Sequence, residues 1–417
     1  MKRMLSDNDA ETSDDDATPF EGIFFSFLET RDGCRYRIAS NVRQLNDPAS
    51  GRHSNTLLWC LHGFPESWYS WRHQLLYWKN HDPRVCIVAP DMRGYGSSDQ
   101  PVDENAYTQP ILAQHMMELI QQCSPSNNMN QECIIIGHDW GAMLAWNIAL
   151  LYPESIAGVL ALSVPYMGIP QQGLLTVLQK TYGQCLDPHI PRAIRAKARF
   201  HYVLHHCLPS SAKIHNQRTE QVLHAMYTGI GQHNKLHQQQ QSNEEEEQPP
   251  AISSPLMFTP VAISNLLQPL DATVAPGFWE RVFLPRKRPS WLSAFDWNYY
   301  VREFQRSGFH GGLAWYKAAD RNADEMRELM KEKGDHVRIP ALFLIGEQDS
   351  VLTLYGGWNK IQQRMPLKVP LLVQPPVLVP HCGHWIQQEH PTLVNHAMKD
   401  FVRQVVDASE HTTRSKL

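Results

Sequence analysis

The segment Gly137-His138-Asp139-Trp140-Gly141 places a carboxylate between two glycines. An apolar run of strand type precedes it, and an apolar helical pattern follows it. Small residues two positions before and two after a central residue are typical of a tight strand-to-helix turn, which lifts that side chain above the sheet edge. The helix dipole and the free N–H groups would keep the carboxylate ionised. Asp139 is therefore a candidate nucleophile, and simple N-capping is the alternative.

Two later segments could supply an acid and a base to such a nucleophile, in the chain order that this kind of turn predicts. The apolar strand pattern ALFLIG (341–346) is followed by Glu347 and Asp349. We favour Asp349 as the acid, and Glu347 stays open as the alternative. The loop before the last predicted helix favours His384 as the base. Since the chain has 21 histidines, order and context carry this choice. The same region also holds His381 and His390.

The motif His62-Gly63-Phe64-Pro65 follows a buried strand pattern, TLLWCL. A loop after the third strand can supply one N–H group to an oxyanion hole, and the residue after the nucleophile supplies the other. The predicted donors are the backbone N–H groups of Phe64 and Trp140. A simple turn is the alternative interpretation of the motif.

Strand patterns alternate with helical patterns on both sides of a helical middle section, which predicts an α/β class with a parallel sheet. The predicted strands include 84–90 and 156–164, and the predicted helices include 67–79, 107–122 and 391–406. The predicted organisation is a disordered acidic N-terminus (1–18), a core in two parts (19–164 and 336–406), a helical cap between them (165–335) with a low-complexity insertion at about 231–250, and a flexible tail (407–417).

Composition excludes several function classes. The formal net charge is −4 over 417 residues, which gives no electrostatic reason to expect a nucleic acid partner. The eight cysteines form no CxxC pair and are expected to be free thiols. No stretch has the length and apolarity of a transmembrane helix or a secretory signal. No HExxH motif occurs, and we expect neither a metal nor a cofactor. Three histidines are expected to form a polar helix face: His201, His205 and His206.

The chain ends in Ser415-Lys416-Leu417. This tripeptide is a receptor-read peroxisomal address when it stands at a C-terminus. The sequence therefore predicts the peroxisomal import receptor as a partner and the peroxisomal matrix as the location, with additional residence in the cytosol left open.

Five segments together resemble the α/β-hydrolase-fold epoxide hydrolases, of the soluble type without an N-terminal phosphatase domain. They occur in the family's order between about Phe20 and Arg403: HGFPESWYSWRHQL, APDMRGYGSSD, GHDWGAMLAW, PSWLSAFDWNYYVREFQRSGFHGGLAWYKAADRN and CGHWIQQEHP. The resemblance implies a mostly parallel central sheet flanked by helices, with an inserted helical cap. It also implies that water opens an epoxide to a vicinal diol through an ester on the aspartate, with no cofactor.

The same resemblance implies two cap tyrosines that donate hydrogen bonds to the epoxide oxygen. One is similar to Tyr316 in GGLAWYKAADRN, and the other to Tyr202 in KARFHYVLHHC. Ordinary aromatic packing is the alternative for both. The chain departs from the family pattern at three cap positions, Ala314, Lys317 and His310.

Two other functions remain as alternatives. A haloalkane dehalogenase would share the aspartate nucleophile, but it usually carries a halide-binding side chain where Phe64 stands. A non-catalytic binding protein of the same fold is the remote alternative. No GxSxG motif supports a serine esterase, and Trp140 stands where a fluoroacid dehalogenase would carry arginine. The apolar, aromatic cap favours small lipophilic epoxides, and the C-terminal address suggests epoxy fatty acids.

Overall fold

The computed structural model describes residues 21–43, 45, 56–82, 85–123, 132–182, 201–229 and 288–414. Their strands are β1 (Phe24–Glu29), β2 (Arg35–Ser40), β3 (Thr56–Leu61), β4 (Cys86–Pro90), β5 (Glu132–His138), β6 (Gly158–Leu162), β7 (Ala341–Gly346) and β8 (Val377–Val379). They form one sheet in the order β1-β2-β4-β3-β5-β6-β7-β8. The first two pairings, β1 with β2 and β2 with β4, are antiparallel, and all the others are parallel.

The helices divide between the sheet and the cap. Those of the core are α1 (Arg72–His81), α2 (Gln109–Gln122), α3 (Trp140–Leu151), α11 (Val351–Leu354), α12 (Trp358–Lys368), α13 (Ile386–Glu389) and α14 (Pro391–Arg414). Those of the cap are α4 (Leu174–Tyr182), α5 (His201–His206), α6 (Ser211–Gln217), α7 (Thr219–Gly229), α8 (Ala294–Ser307), α9 (His310–Lys317) and α10 (Ala319–Leu329). In the part of the chain that the structure describes, no helix has both the length and the apolarity needed to cross a membrane.

The centre of the sheet explains why the apolar runs form strands. All six residues of β3 are buried, as are all six of β7, so these strands are apolar continuously rather than at alternate positions. This pattern is typical of parallel strands with both faces covered. Parallel pairing aligns the strands' carboxyl ends, and the loops that leave β3, β5 and β7 therefore begin at one edge of the sheet.

The cap rests on the core through a glycine pair. A Cβ on Gly94 would lie 2.6 Å from the Cα of Gly311, and a Cβ on Gly311 would lie 2.2 Å from the Cα of Gly94. Gly311 lies in α9, and Gly94 lies in the loop after β4 with φ 88°. Only two residues without side chains allow α9 to approach the core loop this closely.

Several predicted boundaries differ from the structure. The segment predicted as a helix at 67–79 begins with a 3₁₀ turn, Trp68–Trp71, before α1. The strands predicted at 84–90 and 156–164 are shorter, at β4 and β6. The short edge strand β8 was not predicted, because two prolines interrupt the segment before it.

The closing helix was predicted to end near 406, with a flexible tail from 407, but α14 continues to Arg414. No glycine or proline interrupts 407–414, so nothing in the sequence stops the helix there. The predicted acidic N-terminus, the low-complexity insertion and the terminal Ser-Lys-Leu lie outside the described residues. Seven described cysteines are free thiols, as predicted: Cys34, Cys60, Cys86, Cys123, Cys133, Cys207 and Cys382.

Candidate active site

Asp139 lies at the junction between β5 and α3. Its backbone has φ 52° and ψ −119°, a conformation that is rare for residues with a side chain. A Cβ on Gly137 would lie 2.3 Å from the carbonyl oxygen of Gly141, and a Cβ on Gly141 would lie 2.2 Å from that of Leu61. The two flanking glycines are therefore required by the close approach of backbones in this turn. The strained turn presents Asp139 at the carboxyl edge of the sheet.

The loop after β3 contacts the Asp139 carboxylate. A Cβ on Gly63 would lie 2.4 Å from the Asp139 Cβ, so glycine is needed here as well. The backbone N–H of Phe64 donates to Asp139 Oδ1 at 3.0 Å. Trp140, the other predicted oxyanion donor, is the first residue of α3, where backbone N–H groups have no acceptor within the helix.

The remaining motif residues shape this loop. His62 Nδ1 lies 2.8 Å from the Gly63 carbonyl oxygen, and Nε2 accepts from the Met92 N–H at 2.9 Å. The peptide bond before Pro65 is cis, and the Tyr227 hydroxyl of the cap donates to the Pro65 carbonyl. These contacts connect the loop to the core on one side and to the cap on the other.

His384 joins two carboxylates. Its Nδ1 lies 2.9 Å from Asp349 Oδ2, and its Nε2 lies 3.5 Å from Asp139 Oδ2. Asp349 follows β7, and its second oxygen accepts from the Val351 N–H at 2.8 Å. The structure thus brings together the predicted nucleophile, acid and base in a single buried line.

The geometry also separates the two acids that the sequence left open. The Asp349 side chain is fully buried against His384, whereas the Glu347 side chain is 49% exposed and accepts from the backbone N–H of His381. The His381 side chain is itself 88% exposed. Asp349 and His384 are therefore the pair that can act on Asp139.

Neighbouring opposite charges shift the pKa values of His384 and Asp139. Burial alone would lower the pKa of His384, but the Asp349 and Asp139 carboxylates outweigh it and hold that pKa well above its ordinary value. Burial alone would raise the pKa of Asp139, yet the hydrogen bond and charge of His384, with the Phe64 N–H, hold it below its ordinary value. The resting site is an ionised nucleophile beside a charged imidazolium.

A second histidine–carboxylate pair lies beneath the first, and the sequence reasoning missed it. His138 Nδ1 lies 2.8 Å from Glu66 Oε2, with both side chains fully buried. His138 Nε2 lies 2.8 Å from the His384 carbonyl oxygen, which can only accept a hydrogen bond. The pair connects the β5 turn to the backbone of His384.

Glu66 also fixes the loop that faces Asp139. Its carboxylate accepts from the Gly63 N–H at 2.8 Å and from the Gln387 and Gln388 side-chain amides at 2.9 and 3.2 Å. Burial would raise the pKa of Glu66, but His138, His62 and the Gly63 N–H hold it below its ordinary value. The sequence signal that could have identified Glu66 is a carboxylate two residues after Phe64, at the start of an aromatic segment.

Tyr316 belongs to α9 of the cap and is 5% exposed. Its ring centroid lies 4.9 Å from that of Trp140 and 5.4 Å from that of Phe64, both edge-on. The structure therefore places Tyr316 against the two residues that supply the predicted oxyanion N–H groups.

Tyr202, the other predicted cap tyrosine, lies in α5, and its side chain falls outside the described residues. Among the departures from the family pattern, Ala314 is buried in α9. Lys317 pairs with Glu104 of the core at 2.6 Å between Nζ and Oε1. The Lys317 contact is a link between cap and core at the surface, away from Asp139.

The expectation of a polar helix face in α5 was wrong for two of its three histidines. His205 is 6% exposed and His206 is fully buried. The His206 ring packs edge-on against the rings of Phe64 and Tyr316, at 5.3 and 4.9 Å. Aromatic residues from the core loop and from α9 cover this face of α5, which a helical pattern alone does not reveal. The side chain of His201 lies outside the described residues.

The arrangement is suited to two chemical steps. An ionised carboxylate can attack an electron-poor carbon without losing a proton. A histidine held by a second carboxylate can then take a proton from water, and N–H groups beside the carboxylate can stabilise an oxyanion that forms on it.

Known proteins of the same fold support this description. The family model described as the alpha/beta hydrolase fold matches residues 56–391. Epoxide hydrolase A of Mycobacterium tuberculosis strain H37Rv is 30% identical over 82% of this chain and 88% of its own length. Bifunctional epoxide hydrolase 2 of Sus scrofa is 29% identical over 86% of this chain, which spans 53% of that protein.

A solved structure agrees with these sequence matches. The crystal structure of epoxide hydrolase A from Mycobacterium thermoresistibile is 30% identical, with a TM-score of 0.68 over 91% of this chain and 98% of that chain. The chain belongs to the α/β-hydrolase fold family and, within it, to the epoxide hydrolases.

Proposed function

We propose that the chain hydrolyses lipophilic epoxides to vicinal diols through an ester on Asp139. The observation that carries the proposal is the line of Asp139, His384 and Asp349, with 3.5 Å and 2.9 Å between the facing atoms. The names of the relatives, epoxide hydrolases at about a third identity or less, support the same substrate class.

In the first step Asp139 attacks a ring carbon from the side opposite the ring oxygen. The new bond joins a carboxylate oxygen to carbon, the carbon–oxygen bond of the ring breaks, and the released oxygen takes up a proton from solvent to become a hydroxyl. The charged His384 releases one proton to solvent once the ester has formed, so the two exchanges balance. Tyr316 and Tyr202 are the proposed hydrogen-bond donors to that oxygen. A phenol is neutral at pH 7 and can donate there. The burial of Tyr316 beside Trp140 and Phe64 supports its role.

In the second step His384 takes a proton from water, and the hydroxide attacks the carboxyl carbon of Asp139. The diol leaves and the carboxylate is restored. Ester formation removes the negative charge of Asp139, which is one of the two charges that raise the pKa of His384. The imidazole therefore becomes neutral more readily after the first step, when a base is needed. The Phe64 and Trp140 N–H groups are the proposed oxyanion donors.

The proposed substrates are apolar. The rings of Trp140 and Phe64 both pack on Tyr316, and Phe309 adds a fourth ring at 6.1 Å from Phe64. Such a surface favours epoxides with hydrocarbon or aryl substituents. Epoxy fatty acids are the candidates that also agree with the C-terminal address, and they would place the enzyme in lipid metabolism.

The decisive experiment compares the wild type with Asp139→Ala and with Glu347→Gln as the matched acidic control. Each is incubated with styrene oxide, stilbene oxide, an epoxy fatty acid and 1-chlorobutane, and diol and chloride are measured. We expect diol from the wild type and the control and none from Asp139→Ala. Chloride release without diol would assign a haloalkane dehalogenase, and no product from any substrate would favour a non-catalytic role.

The ester itself is tested with isotopic water. During many turnovers in ¹⁸O-labelled water, hydrolysis at the Asp139 carboxyl carbon should place ¹⁸O in that side chain, detected by mass spectrometry of the peptide that contains it. Direct attack of water on the epoxide would put the label only in the diol and would overturn the ester mechanism.

We also propose import into the peroxisomal matrix through Ser415-Lys416-Leu417. A fluorescent protein fused to the N-terminus should show a peroxisomal pattern in cells, and deletion of these three residues should leave it in the cytosol. The same pattern for both fusion proteins would overturn the proposal.

A further inference from the structure

Three buried histidines of the cap converge at one point. His205 and His206 end α5, and His215 lies in α6 after a short turn. One ring nitrogen from each lies within 4.8 Å of those of the other two. His206 and His215 are fully buried, and His205 is nearly so. Convergence of three imidazoles inside a protein is uncommon for histidines that serve only to cover a helix face.

The turn between the two helices holds this group in place. The Ser211 hydroxyl donates to the His205 carbonyl, and His215 Nδ1 donates to the Ser211 carbonyl at 2.6 Å. Because a carbonyl oxygen can only accept, His215 donates through Nδ1, and Nε2 is the ring nitrogen that would bind a metal. Metal-binding histidines are usually oriented in this way, by a backbone carbonyl at the other nitrogen.

Aromatic rings enclose the three histidines. Phe309 lies 5.3 Å from the His215 ring, and Phe64 and Tyr316 pack on His206. These contacts enclose the cluster with apolar rings from the core loop and from α9.

We propose that His205, His206 and His215 bind one divalent transition-metal ion of the zinc class. Three imidazoles with one further position for water suit Zn²⁺ or Co²⁺, whereas Ca²⁺ and Mg²⁺ prefer oxygen ligands. Ligand bonds of about 2.0–2.1 Å would draw the nitrogens closer together than they lie here. The ion would clip α5 to α6 beside Tyr316. This site is separate from the proposed hydrolysis and does not depend on it.

The test uses the full chain, freed of metal with a chelator and then titrated with Co²⁺. We expect one equivalent to bind and to give the visible absorption of tetrahedral cobalt, and Zn²⁺ to displace it. Competition with a chromophoric chelator gives the affinity. In His215→Gln that affinity should fall by more than about 100-fold, since even loss of an outer partner costs about 10–100-fold. His224→Gln, in the neighbouring helix α7, is the matched control and should bind like the wild type.

Two further variants make the result decisive. His205→Gln keeps the hydrogen bond between His215 and Ser211 and should also weaken metal binding. The test therefore holds even if His215→Gln does not fold. His384→Gln should bind the metal like the wild type. Three results would each overturn the proposal. The wild type could fail to bind one equivalent of metal, both cap variants could bind as tightly as the wild type, or His384→Gln could lose binding.

Discussion

The molecule contains two groups of buried histidines with opposite electrostatics. In the active site, His384 lies between Asp139 and Asp349, and the two carboxylates hold its pKa well above the ordinary value. In the cap, burial and the neighbouring imidazoles hold the pKa of His206 well below it. His384 and His206 are similarly inaccessible to water. At similar burial, neighbouring carboxylates therefore raise the pKa of an imidazole that burial alone would lower.

The two groups should affect stability in opposite directions as pH changes. A raised folded pKa, as for His384, stabilises the fold below the unfolded value near 6.5, and this contribution is lost as pH rises through the folded pKa. The pKa of His215 in the folded chain is lowered to about 4, which has the opposite effect on stability. The unfolded chain then binds more protons between pH 6.5 and 4, so stability falls as the solution is acidified through that range.

The largest effect is expected from His384→Gln, which removes the charged histidine. Ring opening by Asp139 needs no base, but ester hydrolysis does. We expect steady-state diol formation to fall by about five to six orders of magnitude, as for the base of a comparable triad. Intact mass spectrometry should show the protein heavier by the mass of one epoxide. His390→Gln is the control, and an unmodified, inactive His384→Gln would mean that the histidine also serves the first step.

Asp349→Asn removes one of the two charges that distinguish His384 from the cap histidines. We expect diol formation to fall by about four orders of magnitude, because the imidazole loses its orientation and tautomer. The exposed carboxylate of Glu347 supplies the matched variant Glu347→Gln, which should change the rate less than about twofold. Equal losses in the two variants would contradict the assignment of Asp349 as the acid.

Glu66→Gln tests the deeper pair with His138. An amide in this place would face the N–H of Gly63 and two glutamine amides with a donor of its own. We expect urea denaturation to show about 3–5 kcal/mol lower unfolding free energy, as for other broken buried ion pairs. The surface pair of Glu104 with Lys317 provides the control Glu104→Gln, with an expected loss of about 1 kcal/mol or less.

The smallest effect concerns the cap cluster and its pH dependence. Unfolding free energy is measured between pH 7 and 4.5 in the presence of a chelator. One histidine that is neutral when folded and protonated when unfolded contributes a slope of about 1.4 kcal/mol per pH unit. His215→Gln should reduce the acid-side slope by up to that amount, whereas His224→Gln should change it less. Equal slopes of unfolding free energy against pH for the wild type and His215→Gln would contradict the expected difference between the cap histidines and His384.

The sequence predicts the sheet well because its strands are long apolar runs bounded by turns. β3, β5 and β7 lie where the runs TLLWCL, ECIIIG and ALFLIG predict them. The line of Asp139, Asp349 and His384 could be predicted because parallel strands bring the ends of distant segments to one edge. In contrast, β8 has three residues and follows prolines, so local pattern gives no strand signal.

The contacts that sequence reasoning missed join residues far apart in the chain. Glu66 meets His138 across 72 positions, and its amide partners lie more than 300 positions away. The cap cluster was misjudged for a related reason. His206 of α5 is covered by Phe64 of the core and Tyr316 of α9, and nothing in the local sequence indicates which face of a short helix will be covered. Tertiary packing settles such questions, and helical periodicity does not.

The contact between Gly94 and Gly311 has a consequence for redesigning the enzyme. Because two backbones meet there without a side chain between them, the contact has no room for a Cβ on either residue. Alanine at either position would act as a wedge and move Tyr316, five residues along the same helix, away from the nucleophile. Mutant libraries intended to alter substrate preference should keep both glycines and vary the aromatic side chains near Asp139 instead.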